Sequence, residues 1–182
     1  STHVSRCTKG LDEALKEWRS RPLGEFRYLI IDARYENVRY GGQVRKLAII
    51  WGIGVTRDGR REVLGMSVSL SEAEVHWRDF LKGLVKRGLS GVTYIVSDDH
   101  DGLKNALQST FSGVMWNRCH THLARNAQGY VSRKSNKAAV ASDIRDILQA
   151  PDLQTAQFLL DRFSTVWKDS EPKLVEWAES NI

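Results

Sequence analysis

The sequence predicts an α/β fold built on a mixed five-stranded sheet flanked by helices, and three observations carry that expectation. Apolar runs and breakers give the order three strands, helix, strand, helix, strand. Two of the runs, Tyr28-Leu29-Ile30-Ile31-Asp32 and Thr93-Tyr94-Ile95-Val96-Ser97-Asp98, are alike in composition and each closes on an aspartate. From Cys119 onward strand patterns give way to helical ones. After a three-stranded meander, the fourth strand must cross over to lie beside an earlier one. If strands one and four are parallel neighbours, the arrangement is ribonuclease H-like, and Asp32 and Asp98 emerge together at the carboxyl edge of the sheet, where ligands of open α/β sheets bind.

Leu11, Leu15 and Trp18 recur at helical spacing before Arg21-Pro22-Leu23-Gly24 ends the pattern, giving one short helix and a connector. Residues 27 to 33 read as the first strand. After Gly41-Gly42, the run from Val44 to Val55 is the second, Asp58-Gly59 marks a hairpin turn, and Glu62 to Leu70 returns as the third. Ser71-Glu72-Ala73-Glu74 has the form of a capping box. Trp77, Phe80, Leu81 and Leu84 then form one helical apolar face that ends at Arg87-Gly88. Val92 to Ser97 is strand four, His100 to Gln108 a helix, and Val114 to Trp116 a short fifth strand. Beyond it, Ala141, Ile144 and Leu148 mark one helix. Pro151-Asp152 opens another, striped by Ala156, Leu159, Leu160, Phe163 and Trp167, and a third starts near Pro172 with Leu174 and Trp177. Ser180-Asn181-Ile182 carries no cap, so the chain is expected to stop within an element. Trp77, Trp167 and Trp177 read as core residues rather than base-stacking platforms.

With 182 residues, 41% of them hydrophobic, the chain is large enough to bury a core. No stretch has the length of a membrane span, and the first residues lack the apolar run of a signal peptide, so the expected compartment is cytoplasmic. Two cysteines, Cys7 and Cys119, do not make a disulfide framework. Charge is unevenly spread: residues 1 to 137 hold 23 Lys/Arg against 14 Asp/Glu, whereas residues 138 to 182 hold 4 against 8. A basic body around a carboxylate pair suits a polyanionic substrate, although a merely solvated basic surface has the same composition.

Two aspartates held close repel unless a cation sits between them. Hard oxygen ligands favour Mg2+ or Mn2+, and two such ions can drive an in-line phosphodiester displacement. Carboxylates that share an ion lie on the order of 4 to 7 Å apart. Aspartates also end strands as helix N-caps, a role open to Asp99 or Asp101 beside Asp98. Cys119-His120-Thr121-His122 contains half a zinc site, with His3 and Cys7 as the other Cys/His pair; a packed or hydrogen-bonded pair is the competing reading. The acidic cluster from Asp98 to Asp101 lacks the ligand spacing of an EF-hand.

An ordered set of residues resembles the mutator-type insertion-sequence transposases. It comprises Asp32-Ala33-Arg34-Tyr35 with Val38-Arg39, Gly54-Val55, Gly59 and Arg61-Glu62-Val63-Leu64-Gly65. It continues through Trp77, Phe80-Leu81, Leu84, Arg87-Gly88-Leu89 and Gly91-Val92, then Ser97-Asp98 with His100 and Gly102-Leu103, and Arg118-Cys119 with His122 and Arg125-Asn126. The resemblance implies a ribonuclease H-like core with an Asp-Asp-Glu triad, two divalent ions (Mg2+ or Mn2+), and cleavage and strand transfer of transposon DNA. On it, Asp32 and Asp98 are the first two triad acids and metal ligands, and Cys119 and His122 are the family's Cys-x-x-His near the active site. It implies three divisions: residues 1–25 an N-terminal helix and connector, 26–137 an incomplete catalytic core, and 138–182 the start of an all-helical insertion. The triad glutamate lies beyond that insertion, and Glu171, Glu176 and Glu179 are in the wrong segment to replace it, so the 182 residues alone are expected to be inactive. The implied partners are double-stranded DNA, as transposon ends and target, and a second copy in a homodimer, with no membrane; the implied location is cytoplasmic, at the bacterial nucleoid when bound to DNA. The alternatives are a non-catalytic DNA-binding or self-association module, and an unrelated α/β phosphotransfer domain using one strand-end aspartate.

Overall fold

The computed structural model describes residues 2–182; the side chains of residues 2–8 and of Tyr40, with His3 and Cys7 among them, lie outside the described residues. Elements follow in the order α1 (Thr2–Ser20), β1 (Tyr28–Tyr40), β2 (Gln43–Val55), β3 (Arg61–Ser69), α2 (Glu74–Lys86), β4 (Tyr94–Ser97), α3 (Asp101–Thr110) and β5 (Met115–Arg118). The helices α4 (His120–Gly129), α5 (Lys137–Leu148), α6 (Leu153–Trp167) and α7 (Pro172–Asn181) complete the chain. The sheet order is β3-β2-β1-β4-β5. β1 pairs antiparallel with β2 and parallel with β4, so the ribonuclease H-like order expected from the element sequence is present. No helix among the described residues is long and apolar enough to cross a membrane.

Two compact units result, residues 1–117 and 118–182. In the first, α2 and α3 cover one face of the sheet. Leu29 and Ile31 of β1, Ile50 of β2, Leu64 of β3 and Ile95 of β4 meet Trp77, Phe80, Leu81 and Leu84 of α2 and Leu103, Ala106 and Leu107 of α3. Glycines make the close approach possible. Gly52 and Gly65 are cross-strand partners; a Cβ on Gly65 would lie 3.2 Å from Leu84 Cδ2, and one on Gly52 3.1 Å from Ile31 Cδ1. Nearby, Phe26 occupies the space above Gly54.

Three local expectations need correction. The first strand does not stop at residue 33: it runs to Tyr40, because β2 supplies ladder partners along its whole length and Gly41 and Gly42, with φ of 60° and 77°, close the hairpin. The capping box does not form. Helix α2 begins after Ala73 with no side chain on its first amides; Glu74 turns along the helix to Arg78 and to the Asn105 amide (3.3 Å), and the Ser71 carbonyl accepts from the Ser69 hydroxyl (2.8 Å). Neither Asp99 nor Asp101 caps α3, whose N-cap is His100. Both instead pair with Lys104, at 2.5 and 3.4 Å.

The second unit has its own core, centred on Val140, Ile144 and Ile147 of α5, Leu160, Phe163 and Trp167 of α6, and Leu174 and Ala178 of α7. The buried face of α5 therefore sits one residue from the expected Ala141 and Leu148, with Ile144 common to both. Asp152 opens α6 by accepting from the Thr155 amide at 2.7 Å. Glu171, only 1% exposed, precedes α7 and accepts from the Ser132 amide (2.7 Å), the Arg133 amide (3.1 Å) and Asn136 Nδ2 (2.8 Å). These donors, the Ser132 amide foremost, hold its pKa down to about 2.

Two outcomes follow. Gly54→Ala would drive a Cβ to 2.5 Å from Phe26 Cδ1 and 2.9 Å from Leu64 Cδ1, so urea unfolding should register a loss of about 1–3 kcal/mol. A carboxylate with a depressed folded-state pKa contributes its full stability above its ordinary pKa near 4.5 and loses it as pH falls toward 2. Melting of α5–α7 followed from pH 6 to pH 2 should therefore show an acid-induced drop over that window. Glu171→Gln should lower the midpoint at neutral pH and remove most of that drop.

Candidate active site

Asp32 lies in β1 and Asp98 follows the last residue of β4. Tyr28 is level with Tyr94, Leu29 with Ile95 and Ile30 with Val96, and Asp32 and Asp98 each lie two residues beyond the last of these pairs. Side-chain direction follows from the alternation. Leu29 and Ile31 of β1 and Ile95 and Ser97 of β4 are buried beneath α2 and α3, which turns Ile30 and Asp32, with Val96, to the other face. On that face Tyr28 and Tyr94 meet edge to face, 6.1 Å between centroids, and Trp51 of β2 stands opposite Asp32. Both aspartates are half-buried.

The two carboxylates share a local geometry. Asp32 Oδ1 accepts from the Ala33 amide and Asp98 Oδ1 from the Asp99 amide, each at 2.8 Å, so each side chain is folded back on the residue that follows it. Sequence reasoning missed the bracket that fixes the end of β4. Trp116 of β5 donates Nε1–H to Ser97 Oγ at 2.8 Å, and the Ser97 hydroxyl donates to the Asp98 carbonyl at 2.9 Å. A buried serine directly before a strand-end acid was the available signal, but its partner on β5 is set by strand pairing and not by spacing.

Cys119 and His122 belong to the second unit. Cys119, a half-buried free thiol, is the N-cap of α4, its carbonyl accepting from the Leu123 amide at 2.9 Å, and His122 lies in the first helical turn. Among the described residues no group of three His, Cys, Asp or Glu is placed to hold a metal ion.

A family model described as "Transposase, Mutator family" matches residues 1–182. The chain belongs to the Mutator family of transposases. Among its relatives, the transposase for insertion sequence element IS406 of Burkholderia multivorans (strain ATCC 17616 / 249) is 47% identical over 182 residues, all of this chain and 47% of that protein. The transposase for insertion sequence element ISRM5 of Rhizobium meliloti (strain 1021) is 38% identical over 183 residues, all of this chain and 46% of that protein. This Mutator-family chain thus spans about half the length of the relatives it matches. One solved structure, the HTLV-2 integrase catalytic core domain in complex with magnesium (trimeric form), superposes with a TM-score of 0.31 at 16% identity, covering 81% of this chain and 87% of that one. So loose a superposition carries no argument, and the fold assignment stands on the strand order.

Trp116→Phe keeps the ring and deletes the Nε1 donor. The lost hydrogen bond to Ser97 should cost about 0.5–1.5 kcal/mol in urea unfolding.

Proposed function

We propose that this chain is the core of a DNA transposase that cleaves and joins phosphodiester bonds with Mg2+ or Mn2+ held by Asp32 and Asp98. The observation that supports it best is that Asp32 of β1 and Asp98 just after β4 each lie two residues beyond the last pair joining these parallel neighbours, in a chain of a transposase family. Two carboxylates brought together on neighbouring strands would suit a hard cation that keeps several of its waters. When bound in pairs, such ions activate the attacking water or 3′-hydroxyl and stabilise the leaving oxygen. For the chain itself, Asp32 and Asp98 bind and orient, and the Trp116–Ser97 bracket keeps the end of β4 in place.

Glu171 is not the third acid of this reading, since its carboxylate is buried and committed to three donors. The third carboxylate is assigned outside the 182 residues, which on their own should not cleave DNA. The family resemblance extends the reading to Cys119 and His122 as residues near the active site, to residues 138–182 as the start of a helical insertion, and to a homodimer acting on duplex DNA inside the bacterial cell.

Two measurements test this. Without metal, Asp32→Asn and Asp98→Asn each remove one of two like charges, so neither should lower the melting midpoint. Millimolar Mn2+ should raise the midpoint of the unsubstituted chain and leave both variants unmoved. Joined to the flanking segments its relatives possess, the protein should nick transposon-end DNA only with Mg2+ or Mn2+, and either substitution should reduce cleavage at least a thousandfold, on the order expected for loss of metal-assisted phosphoryl transfer. Unchanged Mn2+ stabilisation in both variants would refute the assignment of the two acids. Metal-independent salt-sensitive DNA binding without cleavage would favour the non-catalytic alternative.

A further inference from the structure

β1 and β2 are each longer than the sheet they serve. β4 pairs only with Tyr28, Leu29 and Ile30 of β1, and β3 reaches along β2 only as far as Ala48, which it pairs with Ser69. Beyond that point β1 and β2 continue as a two-stranded ribbon, from Glu36 opposite Leu47 to Tyr40 opposite Gln43, closed by Gly41-Gly42. Leu47 is buried at its base, but past it Asn37, Arg39, Gln43, Val44, Arg45 and Lys46 are all exposed.

Residues 34 to 46 hold four basic side chains, Arg34, Arg39, Arg45 and Lys46, against one acid, Glu36, which pairs with Arg34. The register distributes the cations. Arg45, level with Val38, falls on the face that carries Asp32, whereas Arg39 and Lys46 fall on the opposite face, with Lys46 Nζ 5.0 Å from the Tyr35 ring. A ribbon with cations on both faces can meet phosphates on both sides of a groove, and a two-stranded ribbon fits the major groove of B-DNA. It starts four residues past the candidate metal ligand Asp32. At about 3.3 Å per residue, the four steps from Glu36 to Tyr40 reach roughly 13 Å, the length of about four base pairs.

We infer that the β1–β2 ribbon is a DNA-binding arm, which tracks the phosphates of the duplex flanking the bond to be cut and holds that duplex through Arg39, Arg45 and Lys46. This rests on the reading of the chain as a DNA transposase core and adds to it a surface that the carboxylate pair does not use. The contact is electrostatic and makes no demand on base sequence.

The test is a salt titration of the affinity for a fluorescent duplex of about 20 base pairs, long enough to carry the reach above. Each phosphate contact contributes about 0.9 to the slope of log affinity against log salt. Combining Arg39→Gln, Arg45→Gln and Lys46→Gln should lower that slope by about two to three and weaken binding at least tenfold at low salt. A control with the same change in charge elsewhere, Lys82→Gln, Lys86→Gln and Lys134→Gln, should lower the slope by less than about one. All six positions are exposed, so melting midpoints should stay at the unsubstituted value and confirm that both variants are folded. Equal slopes for the two variants, or an arm variant that binds like the unsubstituted chain, would overturn the arm. Failure of the unsubstituted chain to bind duplex at all would instead bring down the DNA reading beneath it, and the arm with it.

Discussion

The seating of α2 and α3 on a single face of the sheet is the constraint from which the first unit follows. Large side chains on α2 need room, and the paired glycines Gly52 and Gly65 supply it by leaving the middle of β2 and β3 bare where Phe80 and Leu84 approach. Once Leu29, Ile31, Ile95 and Ser97 are committed to that buried side, strand alternation gives their neighbours no choice. Ile30, Asp32 and Val96 must face the other way. The Asp32 carboxylate, which would be intolerable beneath the helices, is thereby placed on a half-buried surface two residues past the three backbone pairs that join β1 to β4.

Fixing the two acids takes more than the sheet. The strand carrying Asp98 is only four residues long, and a short strand frays unless something outside its ladder holds its end. Trp116 and Ser97 supply that hold from the adjacent edge strand, and Lys104, bound to Asp99 and Asp101, keeps the acidic turn after Asp98 from accumulating unbalanced charge. The hydrogen bond from Lys104 to Asp99 raises the ammonium's pKa above the ordinary lysine value and outweighs the slight desolvation that would lower it.

Much of this was legible in the sequence, for identifiable reasons. The strands with apolar cores, the helix of Trp77, Phe80, Leu81 and Leu84, and the Asp58-Gly59 turn announce themselves by periodicity and by glycine, and all are present. The two strand-end aspartates stood out for the same reason, as polar residues closing buried runs. What could not be read is what depends on partners rather than on pattern. The outer half of β1 holds no apolar run and is kept in place by the β2 ladder and by the Tyr35 hydroxyl, which accepts from the Glu72 amide, so it carries little hydrophobic signature. Ser71 and Glu74 have the spacing of a capping box, but Arg78 and Asn105 are better partners for the glutamate than an orphan amide. Asp99 and Asp101 were drawn away from capping by Lys104 in the same manner. Glu171 gave no hint at all: its three donors lie 35 to 39 positions earlier in the chain.

The separate cores have a consequence for how such a protein can change over generations. Among the described residues, no buried apolar residue of the sheet's cluster belongs to the cluster of α5, α6 and α7. Glu171 ties the helical part together from within its own stretch of chain, so a substitution among Val140, Ile144 or Phe163 can be offset by a second one on the same three helices.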